Sequence, residues 1–299
     1  MSEPTLNYVW CPDASGGHRM AYWQWGEPSH PHVVVCAHGL SRQGRDFDVL
    51  ARALCRAAPD GLRVVCPDVA GRGKSDWLKD PMGYQIPAYA ADMLALLAQV
   101  QPQRLDWIGT SMGGLIGMVL AGQAGLPMPA KIDRLVLNDV GPAIQWQAIQ
   151  RIGQYLGKAG NFSSVEDAAQ AMLAVSEGFG PHTAEQWLEL SRPMLIPVEG
   201  SASGEVKLHY DPGIAVPFRQ ATEESIRQGE AMVWELYDAI KARTLLLRGA
   251  KSDLLSRETA LAMTTRGPRA TLVEFEGVGH APTLVAEGQV EAVRSFLFG

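Results

Sequence analysis

The sequence predicts an α/β fold: a mostly parallel central sheet of about eight strands, flanked by helices, with a helical insertion after the sixth strand. Three observations carry this. Runs such as "HVVVCA" (32–37) are continuously apolar and β-branched, as strands buried on both faces read. They alternate with segments whose apolar residues recur at helical spacing, which implies parallel βαβ units. The alternation stops after Pro142 and resumes near residue 223.

In chain order, "LNYVW" and "RMAYWQW" are separated by Pro, Asp, Ser and Gly and read as an opening hairpin. "HVVVCAHG" is the first buried strand, followed by the helix pattern "FDVLARALCRA". "LRVVCPDVAG" is a strand, and "YAADMLALLAQV" a helix with Met93, Leu94, Leu97 and Val100 on one side. "RLDWIG" is a strand, "MGGLIGMVLAGQAG" a helix and "DRLVLNDVGP" the sixth strand. Residues 143–222 hold helix-like pieces, "IQWQAIQRIGQYLGKAG", "VEDAAQAMLAVSEGF" and "HTAEQWLELSR", and a loop around "PVEGSASGEVKLHYDPGIAVPF", with no buried strand. A helix through "ESIRQGEAMVWELYDAI" leads to the strand "RTLLLRG", the helix "SRETALAMT", the strand "ATLVEFEG" and a last helix. The expected division is a core of residues 1–142 and 223–299 around an insertion of residues 143–222.

Composition narrows the function. The 299 residues are 46% hydrophobic, enough for a sizeable core. The net charge of −6 and the scattered Lys and Arg argue against a nucleic-acid partner. No basic start followed by an apolar run marks a signal peptide, and no run of about 18 apolar residues marks a membrane span. Cys11, Cys36, Cys55 and Cys66 lack metal-type spacing, Cys36 and Cys66 read as buried small side chains, and a reduced, cytoplasmic setting fits.

The chemistry centres on Gly109-Thr110-Ser111-Met112-Gly113, a G-x-S-x-G stretch between a strand and a helix. A nucleophile on such a turn stands clear of the sheet, and the helix N-terminus favours developing negative charge. By itself the stretch also fits a helix cap. A serine needs a base, and the base an orienting acid. His280, in "FEGVGHAP", follows the last predicted strand, and Asp253, in "LLLRGAKSDLL", follows the one before. The order Ser111, Asp253, His280 is that of a nucleophile, acid and base at the carboxyl edge of an α/β sheet. Of the remaining histidines, His18, His30 and His32 lie near the opening hairpin and His182 and His209 in the insertion. "GRGKS" (71–75) ends like a phosphate loop, but Asp68 stands where the first glycine is required, so it reads as a turn after the fourth strand. Arg42 and Arg45 read as ion-paired or solvated, with a substrate carboxylate as the alternative partner. No HExxH, paired CxxC or dinucleotide glycine motif occurs, so no metal or cofactor is expected.

With "HGL" (38–40), "PDVAGRGKS" (67–75), "GTSMGG" (109–114), "LNDVGP" (137–142), "RGAKSD" (248–253) and "GVGHAP" (277–282), the chain resembles the α/β-hydrolase-fold enzymes of the branch with a helical cap after strand six. The resemblance spans nearly the whole chain and is least specific in the cap. It implies Ser111 as nucleophile, His280 as general base and acid, and Asp253 as the orienting carboxylate. Asp139, after strand six, is the alternative acid, since some relatives place it there. The backbone N–H groups of Leu40 and Met112 are the expected oxyanion donors, with His38 supporting the Leu40 loop.

The expected reaction is hydrolysis of a carboxylic ester of a small or medium acyl substrate through an acyl-enzyme. Lactone, thioester and amide cleavage stay open, because the triad does not select the leaving group. Carbon–carbon hydrolases of this kind usually carry Asn where this chain has Thr110. A non-catalytic ligand receptor on the same fold is the alternative of another class. Trp146, Tyr155, Phe162, Phe179, Trp187 and Met194 are available to an apolar pocket under the cap. Neither the physiological substrate nor the oligomeric state follows from the sequence.

Overall fold

The computed structural model describes residues 3–158, 160–201 and 204–299. The opening hairpin is β1 (Thr5–Cys11) and β2 (His18–Gly26). Then follow β3 (His32–Ala37), α1 (Asp48–Ala57), β4 (Arg63–Pro67), α2 (Ile86–Val100), β5 (Arg104–Thr110), α3 (Met112–Gly122) and β6 (Ile132–Asn138). The next stretch contains α4 (Trp146–Tyr155), β7 (Asn161–Phe162), α5 (Val165–Val175), α6 (Ala184–Ser191), β8 (Leu195–Pro197), β9 (Val206–Leu208) and α7 (Ala215–Gln220). The chain ends with α8 (Glu223–Ala239), β10 (Arg243–Gly249), α9 (Arg257–Thr265), β11 (Thr271–Phe275) and α10 (Glu287–Phe298).

Eight strands form one sheet in the order β1-β2-β4-β3-β5-β6-β10-β11. The hairpin and its junction with β4 are antiparallel, and every later pairing is parallel. All six residues of β3 and all five of β4 are buried, as strands covered on both faces must be. One apolar cluster packs α2, α3 and α8 on one face, and a second packs α1 and α10 on the other. On α2, Met93, Leu97 and Val100 are buried and Leu94 is partly buried, in line with the periodicity.

Between β6 and α8 the helices fall where their apolar spacing places them. The stretch read as a loop is more structured than that. β9 pairs with both β7 and β8 in a small antiparallel sheet, and α7 follows. These strands have two or three residues each, too short for a period-2 pattern to register.

Helix α3 lies unusually close to the sheet. Trp107 of β5, fully buried, donates its indole N–H to the Gly113 carbonyl at 3.0 Å. A Cβ on Gly113 would stand 2.0 Å from the Ala37 carbonyl oxygen, a backbone atom of β3 that cannot swing away. Gly113→Ala is therefore expected to destabilise the fold by about 3 kcal/mol or more. Urea unfolding checks this, and a midpoint equal to that of the wild type would refute it.

Candidate active site

Ser111 joins the end of β5 to the start of α3 with φ 51° and ψ −114°, a backbone conformation that non-glycine residues rarely adopt. Its N–H donates to the Asn138 carbonyl at 3.0 Å, and its carbonyl accepts from Gly114 and Leu115. The strained residue is thus tied to the neighbouring strand and to the first turn of the helix. Its side chain is left free of the capping bond that a plain helix start would use. The Ser111 hydroxyl lies 3.0 Å from His280 Nε2.

The other ring nitrogen meets a carboxylate other than the expected one. His280 Nδ1 lies 2.8 Å from Oδ2 of Asp139, which is fully buried at the end of β6. The expected partner, Asp253, is elsewhere: it is 45% exposed and takes a two-pronged contact from Arg151 of α4, at 2.6 and 2.9 Å. The cause is the path of the loop after β10. Gly249 N–H donates to Asp139 Oδ1 at 2.9 Å and Ser252 Oγ–H to Oδ2 at 2.6 Å, so the loop presents Ser252 to the buried carboxylate. Asp253, one residue on, faces outward. Asp139 has φ 55°, in the left-handed region where Asp is among the enriched residues. Three donors serve its two oxygens, as a buried carboxylate requires.

The loop after β3 faces the same point. The Leu40 N–H, and that of Met112 at the start of α3, donate to no other group among the described residues. His38, fully buried, holds this loop: its Nε2 accepts from the Val69 N–H at 2.9 Å and its Nδ1–H donates to the Gly39 carbonyl at 2.7 Å. Burial pushes its pKa from 6.5 down to about 3, so the ring stays neutral. A base whose folded pKa is depressed contributes stability above its unfolded pKa, and that stability is lost as pH falls from about 6.5 towards 3. Asp68, pushed up to about 6 by burial, acts in the opposite sense, its ionisation costing stability as pH rises from 3.8 to 6. His38→Gln keeps an acceptor and removes the titration. It is expected to flatten the loss of thermal stability between pH 6.5 and about 4; a melting-temperature profile parallel to that of the wild type would rule this out.

Arg42 and Arg45 are ion-paired. Arg42 grips Asp46 at 2.7 and 2.6 Å and Arg45 grips Asp48 at 2.7 and 2.5 Å. Arg42 also donates to the Leu190 carbonyl at 3.1 Å and lies over the Phe179 ring. Neither is a free receptor for a substrate carboxylate. Asn138 donates to Thr110 Oγ1 at 3.0 Å and to the Pro282 carbonyl at 2.8 Å, linking the turn before Ser111 to the loop after His280.

A cavity of about 220 Å³ opens onto Ser111 and His280. Tyr155, Phe162, Phe179 and Met194 line it, as do Met172 and Tyr210. Trp187 is instead buried beside Phe179 with its N–H on the Ala169 carbonyl, and Trp146 is not among the lining residues. All four cysteines are free thiols, with Cys36 and Cys66 buried. Away from the cavity, Cys11, His18 and Asp92 bring ligand-type atoms within 4.8 Å of one another, but His18 already bonds Asp13 and Asp92 through its two nitrogens. Among the described residues no helix is long and apolar enough to cross a membrane.

Residues 32–286 match the family model described as alpha/beta hydrolase fold. The chain belongs to that family. This α/β hydrolase is 49% identical over 298 residues to the 3-hydroxybutyrate-oligomer hydrolase of Cupriavidus necator, a match that covers 100% of this chain and 99% of the relative. Among solved structures, a protein from Rickettsia typhi superposes with a TM-score of 0.85 at 28% identity, covering 98% of each chain. An alpha/beta hydrolase from Novosphingobium aromaticivorans superposes with a TM-score of 0.82 at 37% identity, covering 99% of each.

Proposed function

We propose that this α/β hydrolase cleaves short linear esters of hydroxy acids, the 3-hydroxybutyrate oligomers foremost, through an acyl-enzyme on Ser111. His280 takes the Ser111 proton as Oγ attacks the ester carbonyl. Asp139 holds the ring in the tautomer that leaves Nε2 free to accept and stabilises the imidazolium. The N–H groups of Leu40 and Met112 receive the oxyanion. His280 then gives its proton to the departing alkoxide, so the first product leaves as a hydroxy acid. Water, deprotonated by His280, attacks the acyl-enzyme, Ser111 regains its proton and the second acid is released.

What carries this reading is the full-length likeness to the Cupriavidus necator hydrolase, joined to the continuous relay from Ser111 through His280 to Asp139. The cavity volume of about 220 Å³ is below the roughly 300–1,000 Å³ of drug-sized ligand sites and suits a short acyl unit. We read residues 143–222 as the cap that roofs it, because Tyr155, Phe162, Phe179, Met194 and Tyr210 all come from that segment.

The test is a panel: linear 3-hydroxybutyrate dimer and trimer, p-nitrophenyl butyrate, a butyrolactone and a butyryl thioester, with release of acid as the readout. The dimer or trimer is expected to lead, with kcat/KM of about 10⁴ M⁻¹s⁻¹ or more. Turnover of p-nitrophenyl butyrate with the oligomers untouched would keep the esterase and discard the hydroxy-acid substrate. An inert protein that binds butyrate would mark a receptor.

A further inference from the structure

The turn after β4, Asp68 to Ser75, takes no part in the relay, yet it contains the most unusual buried charge of the molecule. Arg72 is fully buried. Among the described residues no carboxylate oxygen lies within 4.0 Å of its nitrogens. Buried charges are ordinarily paired, because desolvation is expensive.

Its partners are neutral and they converge on one place. Arg72 Nε donates to the Leu40 carbonyl at 2.8 Å, and Nη2 reaches the Met112 sulfur at 3.7 Å. Nη1 donates to the Ala70 carbonyl at 2.7 Å and to the Tyr89 hydroxyl at 2.9 Å. The rings of Tyr84 and Tyr89 flank the guanidinium at 5.6 and 5.0 Å. One planar cation therefore contacts both Leu40 and Met112, the residues whose N–H groups donate to no other group among the described residues, and Arg72 itself is not among the residues lining the cavity.

The turn is in addition zipped to the cavity wall. Gly73 N–H donates to the His209 carbonyl at 3.1 Å, and Asp211 N–H donates to the Gly71 carbonyl at 2.7 Å. Arg72 and Tyr210 make the bridge between them, and Tyr210 lines the cavity. Tyr84 hydroxyl donates to Asp211 Oδ2 at 2.5 Å, beside the Arg72 guanidinium.

We propose that Arg72 is a positioning residue for the oxyanion hole: it fixes the Leu40 and Met112 donors and lends a positive charge that is in no direct ion pair to the oxygen that becomes negative in the transition state. This rests on the reading of Ser111, His280 and the two N–H donors given above. A preorganised charge in a water-poor site acts more strongly on developing negative charge than on a neutral ester. The effect therefore belongs on kcat rather than on KM.

The experiment compares wild type, Arg72→Met and Arg72→Lys, each checked for folding by circular dichroism, on p-nitrophenyl butyrate. It adds butylboronic acid, whose tetrahedral adduct on serine puts an oxygen in the hole, and fluorophosphonate labelling of wild-type Ser111. Folded Arg72→Met is expected to lose about 10²–10³-fold in kcat with KM changed less than about threefold. Its boronate affinity should fall in parallel with kcat/KM. Arg72→Lys keeps the charge without the fork and should fall between the two. A merely structural arginine would lower the melting temperature and leave the kcat of the folded fraction alone. Wild-type kcat in folded Arg72→Met overturns the proposal, as does a loss confined to KM. If Arg72→Met does not fold, Arg72→Lys decides: a kcat loss of about tenfold or more at constant KM supports the proposal, and wild-type kcat overturns it. A wild type labelled at Ser111 alongside a fully active Arg72→Met leaves the relay standing and removes Arg72 alone. Failure of the wild type to label at Ser111 removes the relay, and the proposal with it.

Discussion

Ser111→Ala is expected to lower kcat on the best substrate by about six orders of magnitude, close to the loss from removing a whole triad. Without the hydroxyl no acyl-enzyme forms, and His280 has nothing to deprotonate but water. What survives is the contribution of the oxyanion hole and of binding, about 10³–10⁴ over the uncatalysed reaction. The substitution should leave KM and the melting temperature nearly unchanged. Ser111 makes its structural bonds through its backbone, to Asn138, Gly114 and Leu115, and these remain in alanine. Relief of positive φ is not available to alanine, so no stabilisation is expected either. Steady-state kinetics with active-site titration by a fluorophosphonate checks the loss. Retention of more than about one per cent of wild-type kcat in a titrated, uncontaminated preparation would mean that Ser111 is not the nucleophile.

Asp139→Asn is expected to cost about 10⁴-fold in kcat, and Asp253→Asn less than about threefold. The amide of an Asn at position 139 would have to serve three donors, Gly249 N–H, Ser252 Oγ–H and His280 Nδ1–H, with one carbonyl oxygen. Its NH₂ group would then face a ring nitrogen that must carry a proton for Nε2 to accept from Ser111, and the opposite tautomer would prevail. Asp253 instead meets Arg151 at the surface, with both side chains more than a third exposed. Such a pair contributes about 0–1 kcal/mol and screens with salt. Kinetics on the two variants in one buffer separates the acids. A larger loss in Asp253→Asn would mean that the loop after β10 rearranges to bring Asp253 to His280 during turnover.

These two residues also mark how far the sequence could be read. The sheet was legible because β3, β4, β5 and β10 are nearly unbroken apolar runs, and burial on both faces leaves no other reading of them. His280 was legible from its place in the loop after β11, a partly exposed edge strand, and Ser111 because it follows a buried strand. Asp139 does too: it is the residue immediately after Asn138, at the end of β6, where an unpaired carboxylate is costly. It lost to Asp253 because choosing between two loops requires their paths, and the turn that presents Ser252 rather than Asp253 has no signature in the residues alone. Arg72 was hidden for a related reason. Sequence marks it as an arginine between glycines, but only packing reveals that it is buried with no carboxylate oxygen within 4.0 Å among the described residues. The short strands β7, β8 and β9 escaped because two or three residues carry no periodicity.

The pairing of β5 with β6 has a consequence for how the molecule divides its labour. Thr110 and Asn138 are the last partners of that ladder, and Ser111 and Asp139 follow them directly, with the Ser111 N–H on the Asn138 carbonyl. Their separation is inherited from the spacing of two adjacent strands, a dimension that any parallel sheet holds constant. Among the described residues, neither is hydrogen-bonded to any of residues 143–222. A change in that segment should therefore reach the site through the loop of His280, whose neighbour Gly279 donates its N–H to the Gly178 carbonyl at 2.6 Å, before it moves Ser111 or Asp139.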